Sequence, residues 1–279
     1  MRILIAGCGD VGGELARRLL ADGHEVYGLR RRAHLLPAGV RPVAGDVRDP
    51  ERLRALPGGL DVLCYTAAAD ARSVDAYRAA YVDGVRNVLV AAAHTSALRR
   101  VVYTSSTRVY AQNSGEWVDE DSPTGGDDIY ARLLLEGEAT ARESAAPAVV
   151  LRLAGIYGPG RTRLIDRVRA GEPCSAAYTN RIHRDDCAGV LHYVMRLERP
   201  LPLYLGADSE PATQCEVMDW IAERLGLPLP PRADAGPGRR GKRCRNARLM
   251  GSGYAFEYPG FREGYEAVLA GLTGRVGPP

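Results

Sequence analysis

The sequence predicts an α/β fold in which a doubly wound parallel sheet is followed by a smaller C-terminal region. The first observation is that short apolar runs rich in strand formers alternate with helical patterns through the first half of the chain. The second is a glycine-rich turn between the first apolar run and the first helical pattern. The third is that the alternation loosens after Ala154, where loops rich in glycine and proline begin.

Each predicted element follows from its own pattern along the chain. The predicted strands, which are runs of apolar and β-branched residues, are residues 2–6, 25–29, 40–46, 61–67, 100–106, 148–153 and 203–205. The predicted helices, which show apolar residues at helical spacing, are residues 13–20, 50–56, 74–94, 129–143, 166–170, 184–197, 213–225 and 263–272.

The turn after the first strand has the spacing G-x-G-x-x-G. It consists of Gly7, Cys8, Gly9, Asp10, Val11 and Gly12. Gly7 permits a tight turn, Gly9 lets the backbone approach a pyrophosphate, and Gly12 lets the helix pack close to the strand. The N–H groups that begin the helix attract phosphate. Glycine-rich turns are common by chance, but a strand, this turn, a helix and a second strand in that order predict a Rossmann-type dinucleotide site.

We therefore expect a Rossmann dinucleotide-binding domain at residues 1–155. A smaller substrate-binding region is expected at residues 156–279, partly returning to the Rossmann sheet.

The end of the second strand indicates which dinucleotide binds. NAD-selective sites place an acidic residue about 20 residues beyond the glycines, where it binds the ribose hydroxyls. Here Arg30 and Arg31 occupy that place. Arginine forks suit a 2′-phosphate, so the pattern favours NADP, with NAD as the alternative. The plainer interpretation of these arginines is a solvated surface run.

Composition argues against several classes of function. The net charge of +3 is too small to indicate a nucleic-acid partner. No stretch approaches the roughly 18 apolar residues of a membrane span. The six cysteines lack C-x-x-C spacing, so no metal site is predicted, and we expect buried thiols in a cytoplasmic, reducing compartment.

Further motifs follow in the order of a known family. Residues 84–87, 104–110, 151–160 and 182–186 match its segments G-T-x-N, S-S-x-x-V-Y, L-R-x-x-x-V-Y-G-P-G and I-H-V-D-D in order, with individual departures. The chain resembles the atypical extended short-chain dehydrogenase/reductases of the NAD(P)-dependent epimerase/dehydratase family over nearly its whole length. Beyond the glycine turn, the resemblance implies that the cofactor is contacted by Asp46, Val47, Thr66, Ala67, Ala68, Thr104 and Tyr130.

The resemblance also implies a catalytic pair, Ser106 and Tyr130. In the family, a Tyr-x-x-x-Lys helix faces a strand-end serine, and the lysine cation favours the phenolate. Here Leu134 stands at the lysine position, and Arg132 lies about 200° around the helix from Tyr130. We expect Tyr130 to stay protonated and act as a general acid while Ser106 orients a carbonyl oxygen, which favours reduction with NADPH.

Two other interpretations of this departure remain open. The missing lysine fits a cofactor-binding sensor or regulatory protein without turnover. A sugar-nucleotide epimerase would need a base for its first oxidation, which this site supplies poorly. Dehydration is disfavoured because Thr107 and Arg108 stand where related dehydratases carry an Asp-Glu pair.

The substrate is expected to be a small molecule, and the resemblance suggests a sugar or sugar nucleotide. Thr107, Arg161 and His183 are the predicted substrate contacts. Relatives often form homodimers through the helices after the fourth and fifth strands. The apolar residues 133–135 are compatible with such an interface and equally with packing inside the chain.

Overall fold

The computed structural model of the protein describes residues 1–233 and 240–273. The strands are β1 Arg2–Ala6, β2 Glu25–Arg30, β3 Arg41–Ala44, β4 Val62–Tyr65, β5 Arg100–Ser106, β6 Ser114–Val118, β7 Ala148–Leu153, β8 Gly155–Tyr157, β9 Tyr178–Thr179, β10 Arg181–His183, β11 Leu203–Gly206, β12 Ala212–Thr213 and β13 Gly241–Cys244. The helices are α1 Asp10–Ala21, α2 Pro50–Leu53, α3 Val74–Tyr77, α4 Gly84–Ala93, α5 Ile129–Arg142, α6 Arg163–Arg169, α7 Arg184–Arg196, α8 Gln214–Leu225, α9 Ala247–Gly251 and α10 Phe261–Thr273. Residues 234–239 and 274–279 of the predicted substrate-binding region lie outside the described residues.

The predicted doubly wound α/β sheet is confirmed. Within the described ranges, a seven-stranded sheet has the order β11-β7-β5-β4-β1-β2-β3. The strand pairs from β3 through β2, β1 and β4 to β5 are parallel. β4 is buried along its whole length and β1 almost so, which explains their continuous apolar sequences. The strand order reverses between β1 and β4, and in such sheets ligands bind beyond the carboxyl ends of the strands at that point.

The first compact unit comprises residues 1–111, 123–152 and 188–204. The helix predicted at 50–56 ends at Leu53, and the one predicted at 74–94 is interrupted by a π-helical segment, Arg78–Asp83, which separates α3 from α4. Two buried tyrosines reach the carbonyls of this wider turn: Tyr65 donates to the oxygen of Ala80, and Tyr103 donates to that of Tyr81 at 3.0 Å. These partners come from β4 and β5, so local periodicity could not reveal them.

The apolar run in α5 packs within the chain. Leu133 and Leu134 are 1% and 2% exposed. The run is therefore explained by the core, and the homodimer that the resemblance implies stays a prediction without support from these two residues.

The second compact unit comprises residues 112–122, 153–187 and those from Leu205 onward. It contains three small two-stranded sheets, β6 with β13, β8 with β10 and β9 with β12, counted over the described residues. From the sequence, the polar segment between β5 and Asp127 is expected to be a loop, and this expectation is wrong for β6, which pairs in parallel with β13. The pair is short, and β6 is largely exposed. Neither strand therefore shows the alternation of apolar and polar residues that predicts a strand from sequence.

The prediction that all six cysteines are thiols was also wrong. Cys174 and Cys215 form a disulfide, which links the segment before β9 to the first turn of α8. The other cysteines, Cys8, Cys64, Cys187 and Cys244, are buried thiols. Sequence spacing could not identify the pair because its members are 41 residues apart. None of the described helices is long and apolar enough to cross a membrane.

Candidate dinucleotide and catalytic site

The glycine turn joins β1 to α1 at the point where the strand order reverses. Gly7 has φ +92°, and a Cβ there would lie within 3.0 Å of the Ala67 backbone. The backbone N–H groups of Gly7 and Cys8 both donate to the oxygen of Leu29, at 3.0 and 3.1 Å. Gly7 is therefore required by the protein itself, for a left-handed conformation and for close contact with the chain after β4.

Gly9 and Gly12 have different surroundings. A Cβ at Gly12 would lie 2.9 Å from the oxygen of Gly7 and 3.0 Å from Ile5, so the side chain is excluded by helix–strand packing. A Cβ at Gly9 would meet only the Gly7 oxygen, at 3.8 Å, among the described atoms. Protein packing therefore does not demand a glycine at position 9, whereas a diphosphate lying against the backbone would.

The start of α1 fits the same ligand. Gly9, the residue before the helix, has no side chain that could cap the first turn of α1. An uncapped helix start offers backbone donors and a partial positive charge to an anion. The Cys8 side chain is fully buried, and burial raises the pKa of its thiol to about 11. Cys8 thus contributes backbone to the turn and not a reactive sulfur.

Other predicted cofactor residues lie at the ends of neighbouring strands in the same unit. The Thr66 hydroxyl donates to the oxygen of Gly7 at 3.0 Å, and the Thr104 hydroxyl donates to that of Tyr65 at 2.9 Å. Asn87 of α4 donates to the oxygen of Val47 at 3.1 Å, which fixes the segment after β3. The turn, its helix and these strand ends form a surface that fits a dinucleotide.

Arg31, which directly follows β2, is engaged with an acidic residue, and so is Arg48, which follows β3. Arg31 donates through both terminal nitrogens to Asp70, at 2.7 and 2.8 Å. Arg48 donates to Asp46 at 2.6 Å and lies 3.5 Å from Asp70. Hydrogen bonding to these arginines lowers the pKa of both carboxyls. Arg30 donates to the oxygen of Leu35 at 3.0 Å. The sequence did not indicate Asp70 and Arg48 as neighbours of Arg31, because only the order of strands in the sheet brings them to the end of β2.

Ser106 and Tyr130 are linked through two residues between them. The hydroxyl of Ser106 accepts from the backbone N–H of Arg108 at 3.2 Å. The Arg108 side chain donates to Asp128 at 2.6 Å, and Asp128 accepts from the N–H of Tyr130 at 3.0 Å, which caps α5. This linkage connects the end of β5 to the start of α5, so the predicted catalytic pair belongs to one local structure.

A cation does lie near Tyr130, but it is not at position 134. The Arg108 guanidinium lies 4.7 Å from the centre of the Tyr130 ring, and that of Arg72 lies 5.9 Å away. The Tyr130 hydroxyl donates to the backbone oxygen of Arg72 at 3.1 Å. Leu134 is buried, and Arg132 donates to the oxygen of Asp127. Arg108 was noted in the sequence only as the replacement of an acid, and its position over the ring is a tertiary feature.

The predicted substrate contacts lie in different places. Thr107, in the first unit, is 8% exposed. Arg161, in the second, is exposed and lines a surface cavity of about 920 Å³ together with Arg163, Arg167, Glu172 and Gln214.

His183 of the second unit is 1% exposed and packs against the rings of Tyr258 and Tyr157, with centroids 3.9 and 5.3 Å away. Burial lowers the pKa of His183. Its Nε2 has no hydrogen-bond partner among the described residues, and neither has Arg181 Nη1 or Asp208 Oδ2, which are buried in the same unit. The described residues hold no group of three or more His, Cys, Asp or Glu side chains that could bind a metal ion.

Comparison with known proteins agrees with this geometry. The chain is 30% identical over 254 residues to a 3-diazoavenalumate denitrifying reductase of a Streptomyces species, covering 82% of this chain and 83% of that protein. A solved structure from Methylobacillus flagellatus, assigned to the NAD-dependent epimerases/dehydratases, matches with a TM-score of 0.84 and 40% identity over 98% of both chains.

A third match shows the fold alone. WbmG of Bordetella bronchiseptica, solved with NAD and UDP, has a TM-score of 0.81 and 22% identity, covering 98% of this chain and 94% of that one.

The family model supplies the remaining evidence. Residues 3–196, which include the glycine turn, the strand-end serine and the helix of Tyr130, match the model of one family of nucleotide-dependent enzymes. The chain therefore belongs to the NAD dependent epimerase/dehydratase family.

Proposed function

We propose that the protein is an NADP-dependent oxidoreductase that reduces a carbonyl group on a small molecule. The observation that carries the proposal is the linkage of Ser106 and Tyr130 through Arg108 and Asp128, in the unit that contains the glycine turn. When bound, NADPH supplies the hydride. Gly9 and the start of α1 would hold its diphosphate, and Gly7 and Gly12 would set the shape of the turn.

The protein residues supply the proton and orient the reacting oxygen. Ser106 donates a hydrogen bond to the carbonyl oxygen, and Tyr130 transfers its phenolic proton to that oxygen as negative charge develops there. The Arg108 guanidinium, 4.7 Å from the ring, attracts the negative charge that Tyr130 acquires as the proton leaves. Arg108, which follows β5, would thus stabilise the negative charge on Tyr130 that the lysine of the family's Tyr-x-x-x-Lys helix stabilises.

The choice of NADPH rests on Arg30, the last residue of β2, and on Arg31, which follows it, because guanidinium groups suit a 2′-phosphate. A reductase among the relatives supports the direction of the reaction. We extend the proposal to a sugar or sugar nucleotide as substrate, because a protein of the same fold was solved with UDP.

A second candidate is an NADP-binding sensor or regulatory protein without turnover. The observation that favours it is the hydrogen bond from the Tyr130 hydroxyl to the Arg72 backbone oxygen, which occupies the proton that reduction would use. Epimerisation is less favoured because it begins with an oxidation, which needs a base.

The test measures NADPH oxidation against a panel of ketones, aldehydes and nucleotide-linked keto sugars. We expect Tyr130→Phe to slow reduction by about 10²- to 10⁴-fold, which is the usual contribution of a general acid. Tyr193→Phe, on α7, is the matched control and should keep wild-type activity. NADPH binding by fluorescence verifies that each variant is folded.

Two outcomes would contradict the proposal. Unchanged reduction by Tyr130→Phe would remove Tyr130 from the mechanism. Tight NADPH binding with no turnover on any compound of the panel would favour the sensor.

A further inference from the structure

One ion pair crosses the end of β1. Arg31 directly follows the strand β2, and Asp70 follows β4 by a short segment. In the sheet, β1 lies between those two strands. The fork from Arg31 to Asp70, at 2.7 and 2.8 Å, therefore spans the carboxyl end of β1, where the glycine turn begins.

The position of Asp70 is reinforced from a third strand. Arg48, after β3, lies 3.5 Å from Asp70 and also forks onto Asp46. Asp70 thus lies between two guanidinium groups, and about half of its side chain is exposed to solvent, as is that of Arg31. The anionic group of a ligand could therefore take the place of the Asp70 carboxylate between these guanidinium groups.

We propose that Asp70 is a specificity-determining residue, whose carboxylate competes with the 2′-phosphate of NADP for the fork of Arg31. The inference rests on the proposed function only in requiring that the glycine turn binds a dinucleotide. It does not require turnover or a known substrate.

The competition follows from the geometry of the two anions. Carboxylate and phosphate both accept two parallel hydrogen bonds from one guanidinium, so they cannot occupy the same fork together. NADPH must displace Asp70 to reach Arg31, whereas NADH, which lacks the 2′-phosphate, has no need to. Asp70 therefore reduces the preference for NADPH that Arg30 and Arg31 would otherwise produce.

The test compares NADPH and NADH affinities of wild type and Asp70→Asn by fluorescence titration. Exposed ion pairs contribute about 0.2–1 kcal/mol, so we expect NADPH to bind about 1.5- to 5-fold more tightly to Asp70→Asn, while NADH affinity changes less. The gain should shrink as salt is raised, because the groups are exposed. Adenosine 2′,5′-bisphosphate and 5′-AMP, as competitors, should show the same difference.

Two controls separate competition from a general change of charge. Asp83→Asn removes the same charge from an exposed carboxylate that pairs with Arg86, at 3.7 Å, and should leave the NADPH-to-NADH ratio unchanged. In an Arg31→Gln background, Asp70→Asn should no longer alter the ratio, because the contested fork is gone.

The outcomes distinguish this inference from the proposed function. Equal changes for NADPH and NADH, or an effect that persists without Arg31, would overturn the role of Asp70 while leaving the dinucleotide site intact. If wild type binds neither nucleotide, both proposals fail together.

Discussion

At the residue scale, the two glycines at positions 7 and 9 meet different requirements. Gly7 holds a positive φ and lies against the backbone of Ala67, so its lack of a side chain serves the fold. Gly9 has no such contact within the described structure, and under the proposed function its lack of a side chain leaves room for the diphosphate. Their spacing in the sequence suggests one motif, but their surroundings give them separate physical roles.

Alanine substitution at each position should separate stability from binding. We expect Gly7→Ala to lower the free energy of unfolding by about 1–3 kcal/mol, because alanine is strained at that φ and its methyl group overlaps backbone. Gly9→Ala should leave stability within about 0.5 kcal/mol of wild type but weaken NADPH binding at least tenfold. Urea unfolding and fluorescence titration measure the two effects.

The reverse pattern would contradict this assignment. If Gly9→Ala unfolded more easily than Gly7→Ala, or bound NADPH as wild type does, the open space at Gly9 would not be the diphosphate site.

At the element scale, α5 is attached to the sheet by a buried carboxylate. Glu138 is fully buried and accepts from Ser105 of β5 at 2.7 Å. It also accepts from Arg152 of β7 at 2.9 and 2.8 Å. The same side chain lies 3.2 Å from Arg142, one turn further along α5. These bonds fix the helix that carries Tyr130 against the strand that carries Ser106.

Removing Glu138 should therefore destabilise the protein strongly. We expect Glu138→Ala to lower the free energy of unfolding by about 3–5 kcal/mol, because it leaves the Arg152 guanidinium buried without its charge partner. The double variant Glu138→Met, Arg152→Met removes both charges and should recover much of that loss. Chemical denaturation of the three proteins measures this. A Glu138→Ala protein as stable as wild type would show that the pair does not hold α5.

At the scale of the whole molecule, the disulfide is the covalent link that local patterns did not indicate. Cys174 lies just before β9 and Cys215 in the first turn of α8, with 41 residues between them in sequence. Both belong to the second unit. Its apolar core includes both sulfurs together with Ile165, Met218 and Phe261. The bond therefore closes a loop of 41 residues in the chain.

Loss of this bond should lower the stability of the protein, because the unfolded chain gains conformational entropy. We expect Cys215→Ser to reduce the free energy of unfolding by about 2–4 kcal/mol, because a closed loop of this length restricts the unfolded ensemble. Dithiothreitol should destabilise the wild type similarly and leave Cys215→Ser unchanged. Peptide mass mapping without reductant should find the two cysteines linked, and finding both as free thiols would contradict the pairing.

Much of the fold was predictable because its signals are local. The strands β1, β2, β5 and β7 and the helix α5 agree closely with their patterns, since buried parallel strands read as apolar runs and amphipathic helices as periodic ones. The candidate site was predictable where it depends on short motifs, as at Gly7, Ser106 and Tyr130. It was not predictable where partners come from separate strands, as with Asp70 and Arg31 or with Arg108 over the Tyr130 ring.

The sequence by itself determined the class of sheet, the glycine turn and the identity of the residues at the strand ends, because these depend on side-chain size and polarity along a few neighbouring positions. Only the tertiary structure decided which of those residues meet. The order of strands in the sheet places Asp70 against Arg31 across β1, and the cap of α5 draws Arg108 over Tyr130. The same holds for the disulfide, because contacts between residues far apart in the chain depend on how elements pack and not on the local pattern that forms them.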